Sequence, residues 1–371
     1  MTLTKKQNFL MAVRGETPEQ VPVSPLIHWR FSEKLLGSYH WKDTIKIHKM
    51  LGSTWFRGPI SIGPNSDYDV RWGMEIRELP NDDPGKNYAR IISNSKGTIT
   101  GRHKIGFDPK DPTLGFEYEY FVKDRKDWDV VREYWQNELE KAPMPEHNDI
   151  DEAAAILGDD GVSSVIINSA FTRLCLMRGM ENMMLDMYDI PSVLEELQHL
   201  SIEMRKREVE SFLQSKGEVL VYDICWLTGM GVSPEMFRKW LFPEMEMICD
   251  MVRKGGKYIG LYTLGRIKHF LPAMIEAKPH FIETFEQNEG DITLAEAKQK
   301  YGKQICLMGN FNPLILQDGS VEDCIREAKR CLNEAMRGGG YVMVTGCEVP
   351  PTTPVDNLKA MVDTVGKFGK Y

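Results

Sequence analysis

Side chains suited to acid–base, metal-ligating or substrate-holding chemistry stand just after short apolar runs: His28 and Arg30, Asn168, Asp223 and Cys225, Tyr262, Glu283 and Glu286, Asn310, and Cys347. Asp223 closes the run Val-Leu-Val-Tyr-Asp, and a carboxylate at the end of a buried strand has to be paired, hydrogen-bonded or protonated. It either caps the following helix or holds a substrate atom, a proton or a metal. Glu283 and Glu286, in Phe-Ile-Glu-Thr-Phe-Glu, carry the same choice, and strand alternation can send only one of so close a pair inward. Cys347 lies in Thr345-Gly346-Cys347-Glu348-Val349-Pro350-Pro351, a tight turn after a strand. Its thiol either packs under a loop or serves as a zinc ligand.

The elements that must position these groups are legible from residue 160 onward. Val165–Asn168, Val219–Ile224, Tyr258–Thr263, Phe281–Phe285, Ile305–Gly309 and Tyr341–Thr345 read as buried strands, each followed by an amphipathic helical stretch. Ser233-Pro234-Glu235 supplies an N-cap, a first-position proline and a first-turn acid, and Thr293 to Glu296 and Ser320 to Asp323 have capping-box spacing. This βαβ rhythm demands parallel strands with covering helices. Two earlier runs, Val21–Ile27 and Ser53–Phe56, complete eight strands. The predicted class is therefore α/β, a single (β/α)8 TIM barrel whose reactive groups gather at the C-terminal strand ends. No GxGxxG opens a helix, which disfavours a doubly wound sheet.

Residues 58–150 break the rhythm. They are rich in Gly, Pro, Asn and Asp, and contain Arg90 to Thr100, which reads as a β-hairpin, and an amphipathic helix over Lys126 to Lys141. We expect an insertion lying over one barrel mouth, within one domain spanning residues 1–371.

Of 371 residues, 42% are apolar and 27% charged, with a net charge of −8. This balance disfavours nucleic acid or an anionic membrane as a partner, because neither is held without a basic field. No run approaches the ~18 apolar residues of a transmembrane helix, and the first twenty residues lack signal-peptide features, so the expected compartment is the cytoplasm. Seven scattered cysteines without a CxxC pair support neither a disulfide framework nor a zinc ribbon. The 21 methionines, dense between Met177 and Met187, read as adaptable core or interface filling, and a homodimer is compatible with that.

The motifs, in their order, resemble the uroporphyrinogen decarboxylase superfamily, and within it the corrinoid-dependent methyltransferase branch. The resemblance rests on Arg14-Gly-Glu-Thr-Pro-Glu-Gln-Val-Pro-Val, on Phe171 with Arg178-Gly-Met-Glu181 and Asp189-Ile-Pro191, and on Asp223. It continues with Ser233-Pro-Glu-Met-Phe and Pro243, Gly309-Asn-Phe, Gly338 to Cys347, and Pro354-Val-Asp-Asn-Leu-Lys-Ala-Met. It implies one barrel.

Decarboxylases of this superfamily carry an Arg-Gln-Ala-Gly-Arg loop that clamps tetrapyrrole carboxylates. The corresponding Ile27-His-Trp-Arg-Phe-Ser-Glu33 has one arginine, which disfavours that activity. Thiol methyltransferases of the branch carry His-x-Cys-Gly and a later Cys around zinc. Here the first pair reads Tyr262-Thr-Leu-Gly265, so only Cys347 matches, and Asp223, Glu283 or Glu286 would have to rebuild the shell.

The reading that the resemblance best supports is a methyltransferase moving a methyl group from a methylated compound, foremost a methoxylated aromatic, to Co(I) of a separate corrinoid protein. The runner-up is methyl-cobamide:thiol transfer, followed by a decarboxylase-like tetrapyrrole enzyme. On this reading Asp223, Tyr262, Glu283 and His28 are catalytic, and Trp29, Asn168, Tyr222, Trp226 and Asn310 hold substrate. Cobalamin on the partner is the cofactor, and zinc, where present, uses Cys347 with Glu286.

Overall fold

The computed structural model describes residues 2–38, 40–58, 60, 62, 73–80, 85–108, 115–227 and 231–371. The chain divides into two compact units, one of Met1–Ser61, His147–Ile167 and Phe212–Tyr371, the other of Ile62–Glu146 and Asn168–Ser211. The second unit thus includes chain well beyond the 58–150 stretch that breaks the sequence rhythm.

Among the described residues ten strands form two sheets. β1 (Met74–Leu79), β2 (Lys86–Asn94), β3 (Gly97–Ile105) and β4 (Gly115–Glu119) form an antiparallel sheet in the second unit. β2 and β3 pair from Lys86↔Ile105 to Asn94↔Gly97, so Ser95 and Lys96 make the turn. The helix Asp127–Lys141 buries Trp128, Val131, Tyr134 and Trp135 in the same unit, the face that its apolar spacing marks out.

The first unit is built on β5 (Ser164–Asn168), β6 (Val219–Asp223), β7 (Tyr258–Tyr262), β8 (Phe281–Thr284), β9 (Cys306–Gly309) and β10 (Tyr341–Val342). They lie in the order β10-β9-β8-β7-β6-β5, and the pairs from β6 to β10 are parallel. Strands covered on both faces can be apolar throughout, which is why each appeared as an unbroken run. Alternation sorts their side chains: Val219, Val221, Tyr262, Phe281, Cys306, Met308, Val342 and Val344 share one core with Phe56 and Val162.

The two early runs do not become full strands. Val23 bridges Met343 in parallel, Trp55 bridges Gly161 in parallel, and the Thr54 N–H donates to the Val23 carbonyl at 2.9 Å. Val21–Ile27 falls short because Pro22 and Pro25 have no N–H to give to a ladder. Tyr341–Thr345 is likewise trimmed, with only bridges at Met343 and Thr345 beyond β10.

The helix starts form as their sequences require. Ser233 accepts from the Met236 N–H at 3.1 Å and Thr293 from the Glu296 N–H at 3.1 Å, while Ser320 and Asp323 make a complete capping box. No helix among the described residues is long and apolar enough to cross a membrane. None of the seven cysteines is joined in a disulfide; Cys225 and Cys347 are half-buried and the other five buried.

Candidate active site

Four parallel strands deliver the candidate groups to one end of the first unit. Asp223 ends β6, Tyr262 ends β7, Glu283 is the third residue of β8, and Cys347 follows β10. Alternation puts Tyr262 with the inward core set, and in the β7–β8 register Tyr262 stands opposite Glu283. The Asp223 carboxylate accepts from the Cys225 N–H at 2.8 Å, so it caps the turn of 3-10 helix Cys225–Leu227 and remains within electrostatic reach of Glu283.

A residue that the sequence reading did not single out joins them. Arg57 ends the run Ser53–Phe56, and its guanidinium lies 3.9 Å from the Tyr262 ring centroid, with Nη1 3.2 Å from Glu283 Oε2. The Arg57 side chain is 10% exposed and that of Glu283 0%. Burial works against the Arg57 charge, but Glu283, Tyr262, Glu348 and Asp223 more than offset it, and the guanidinium pKa is raised. Burial pushes the Glu283 carboxyl above the ordinary carboxylate range, with Arg57 pulling the other way and Asp223 adding to the rise. Burial likewise pushes the Tyr262 phenol well up. The signal for Arg57 was available: a lone cation directly after a buried apolar run has no cheap place except beside a carboxylate.

The backbone after Glu283 is strained. Thr284 and Phe285 take φ of 91° and 48°, conformations that a β-branched and an aromatic residue adopt at a cost. The Thr263 hydroxyl donates to the Glu283 carbonyl at 3.0 Å, the Thr284 hydroxyl donates to the Thr263 carbonyl, and Asn310 Nδ2 donates to the Phe285 carbonyl at 2.8 Å. Beyond this turn Glu286 lies in electrostatic contact with Cys347. Glu286 Oε2 accepts from the Gly265 N–H at 3.0 Å.

His28 and Arg30 meet Glu348, His28 Nε2 at 3.7 Å from Oε1 and Arg30 Nη1 at 4.0 Å from Oε2. Trp29 opens the helix Trp29–Leu36, with the Arg30 guanidinium 5.7 Å from its ring centroid. Trp226, in the turn Cys225–Leu227, is half-buried. Cys347 is in electrostatic contact with Glu348, Glu286 and Arg57, and burial raises its thiol pKa.

Three of the expected substrate-holding residues have contacts within the protein. Tyr222 alternates to the opposite face from Val221, is fully buried, and donates its hydroxyl to Glu244 of the helix Phe242–Lys254, so it belongs to the sheet–helix layer. Asn310 spends its amide on the Phe285 carbonyl and on Arg330, 2.9 Å from its Oδ1. Asn168 is the last residue of β5, and its carbonyl accepts from Arg205 at 3.4 Å.

Among the described residues no three His, Cys, Asp or Glu side chains converge as a metal-binding group. Cys347 and Glu286 are neighbours, but Glu286 is engaged with Gly265 and the cation Arg57 belongs to the same cluster. As arranged, this donor set does not fit a closed zinc shell.

The first unit is thus a parallel α/β sheet with acidic, cationic and thiol groups at its C-terminal strand ends. The model described as "Uroporphyrinogen decarboxylase (URO-D)" matches residues 150–368, and the chain belongs to that family. It is 30% identical over 132 residues to the methylcobamide:CoM methyltransferase MtaA of Methanosarcina barkeri, covering 35% of this chain and 36% of that protein. It is 33% identical over 79 residues to the uroporphyrinogen decarboxylase of Actinobacillus succinogenes, covering 21% and 22%. The matches thus span about a third or less of these relatives. A methyltransferase from Methanosarcina mazei shares the fold, with a TM-score of 0.67, 16% identity and 99% of each chain covered.

Proposed function

We propose that this protein is a corrinoid-dependent methyltransferase that moves a methyl group from a methylated substrate, foremost a methoxylated aromatic, to Co(I) of a separate corrinoid protein. The observation that carries the reading is the buried couple of Glu283 and Arg57 beside Tyr262. When a methyl group leaves oxygen, the electron pair returns to that oxygen, which needs a proton or a positive charge beside it. Burial raises the Glu283 pKa, which favours its carrying a proton to the departing oxygen, and the Arg57 guanidinium 3.2 Å away stabilises the carboxylate left behind. Asp223 holds and orients polar substrate atoms, and His28, Trp29 and Trp226 are assigned to the surrounding pocket. The corrinoid supplies the nucleophile, and no residue of this chain is assigned to hold it.

The barrel belongs to the same proposal. The bridges Val23–Met343 and Trp55–Gly161, with the Thr54–Val23 hydrogen bond, support an eight-membered closed ring, with the second unit as its insertion. A decarboxylase reading is weaker, because Arg30, the arginine of the Ile27–Glu33 stretch, faces Glu348.

Methyl-cobamide:thiol transfer is a second reading, favoured by the activity of the Methanosarcina barkeri relative and by Cys347. A screen of methoxylated aromatics, methanol, methylamines, methyl sulfides and thiol acceptors, followed by cob(I)alamin absorbance, tests both. Loss of cob(I)alamin with a methoxylated aromatic is the expected result, and no reaction with any donor or acceptor refutes the assignment. Elemental analysis of the protein and of Cys347→Ala tests zinc, since equal zinc content in both removes Cys347 as a ligand.

A further inference from the structure

The loops that carry the site are tied to a helix on the outside of the first unit. Glu327, on the helix Val321–Ala335, is 7% exposed. Its Oε1 accepts from Gln287 Nε2 at 2.6 Å, from the Asn312 N–H at 3.1 Å and from Arg330 Nη2 at 2.7 Å, and its Oε2 accepts from Arg330 Nε at 2.9 Å. Gln287 Nε2 also donates to the Asn310 carbonyl at 2.7 Å, and Arg330 reaches Asn310 Oδ1 at 2.9 Å. One carboxylate therefore fastens the loop after β8, which includes Glu286, to the loop after β9.

The third loop leans on the other two. The Gly346 N–H donates to the Phe311 carbonyl at 2.8 Å, and a side-chain carbon at Gly346 would stand 3.8 Å from the Glu286 backbone. The strained Thr284–Phe285 turn needs such external restraint, because positive φ at two non-glycine residues persists only where the surroundings over-determine it.

We propose that Glu327 is a positioning residue that sets the Glu283–Glu286 turn against Asn310 and Cys347 without touching substrate. This rests on the methyl-transfer reading for its kinetic consequence but not for its geometric one.

The test compares Glu327→Ala, Glu327→Gln and Ser320→Ala by kcat and KM for methyl transfer and by the rate of Cys347 alkylation with iodoacetamide, resolved by peptide mass spectrometry. Ser320→Ala weakens the same helix through its cap and serves as the purely structural control. Loosening the turn is expected to lower kcat by about a hundredfold, the effect of displacing reacting groups by roughly an ångström. KM should change little, and Cys347 should label faster. Glu327→Gln keeps an acceptor oxygen and should restore most of the rate, and Ser320→Ala should leave kcat and labelling unchanged. Wild-type kcat and labelling in Glu327→Ala, or equal losses in Ser320→Ala, would overturn the proposal. Should the wild type transfer no methyl group from any donor, the function fails separately and the labelling comparison decides this inference alone. Should Glu327→Ala not fold, Gln287→Leu removes one arm of the clasp, and unchanged labelling there would overturn it.

Discussion

Breaking the Arg57–Glu283 pair from one side should not cost the same as breaking it from the other. Removing one member of a buried ion pair costs ~3–5 kcal/mol, because the survivor is left charged and unpaired. Glu283→Leu leaves a guanidinium that cannot lose its proton, so the full cost applies, eased by Tyr262, Glu348 and Asp223, which also face it. Arg57→Met leaves a carboxyl already raised by burial, which escapes by binding a proton. In this variant the Glu283 pKa lies above its unfolded value. The stability it contributes is fully present below the unfolded pKa and is lost as pH rises, at up to about 1.4 kcal/mol per unit. Arg57→Met should therefore be mild near pH 5, ~1 kcal/mol, and approach the Glu283→Leu cost near pH 8. The double variant Arg57→Met/Glu283→Leu should recover most of the loss, since an apolar pair of similar volume is often neutral. Urea unfolding of the four proteins at both pH values measures this cycle. Additive losses, or an Arg57→Met cost independent of pH, would refute the pairing and the raised Glu283 pKa together.

Asp223→Ala should reduce methyl transfer far more than stability, because the cap that Asp223 places on the Cys225 N–H is worth about 1 kcal/mol; equal losses in turnover and urea midpoint would return it to a structural role. His48 is fully buried with its pKa lowered to about 3, chiefly by desolvation. The unfolded chain therefore binds the proton first, and stability falls as pH drops from ~6.5 through that value; His48→Gln should flatten this acid limb in a pH series of unfolding midpoints. Native-state alkylation should reach Cys347 before the five buried cysteines, three of which, Cys249, Cys306 and Cys331, are pushed up to about 12. Early labelling of those three would show that the first unit opens more readily than its packing implies.

Much of the first unit was legible in the chain itself. Buried parallel strands are apolar on both faces and helices announce their starts, so the runs near 165, 219, 258, 281 and 306 and the caps at Ser233, Thr293 and Ser320 follow from short-range chemistry. The same logic marked Asp223, Tyr262, Glu283 and Cys347, since a polar group ending a buried strand is conspicuous in one dimension. Which of them meet was not written there. Tyr222 and Asp223 differ by one step of pleat and face opposite layers, and Glu286 comes into electrostatic contact with Cys347 beyond the turn at Thr284 and Phe285. Arg57 stands over two hundred residues from Glu283, and Glu327 forty from Gln287. Local sequence determines which segments become strands and helices, because sterics and hydrogen bonding act over a few residues. Pairing across the sheet decides which charges become neighbours, and in a buried setting that choice fixes which of them can hold or release a proton.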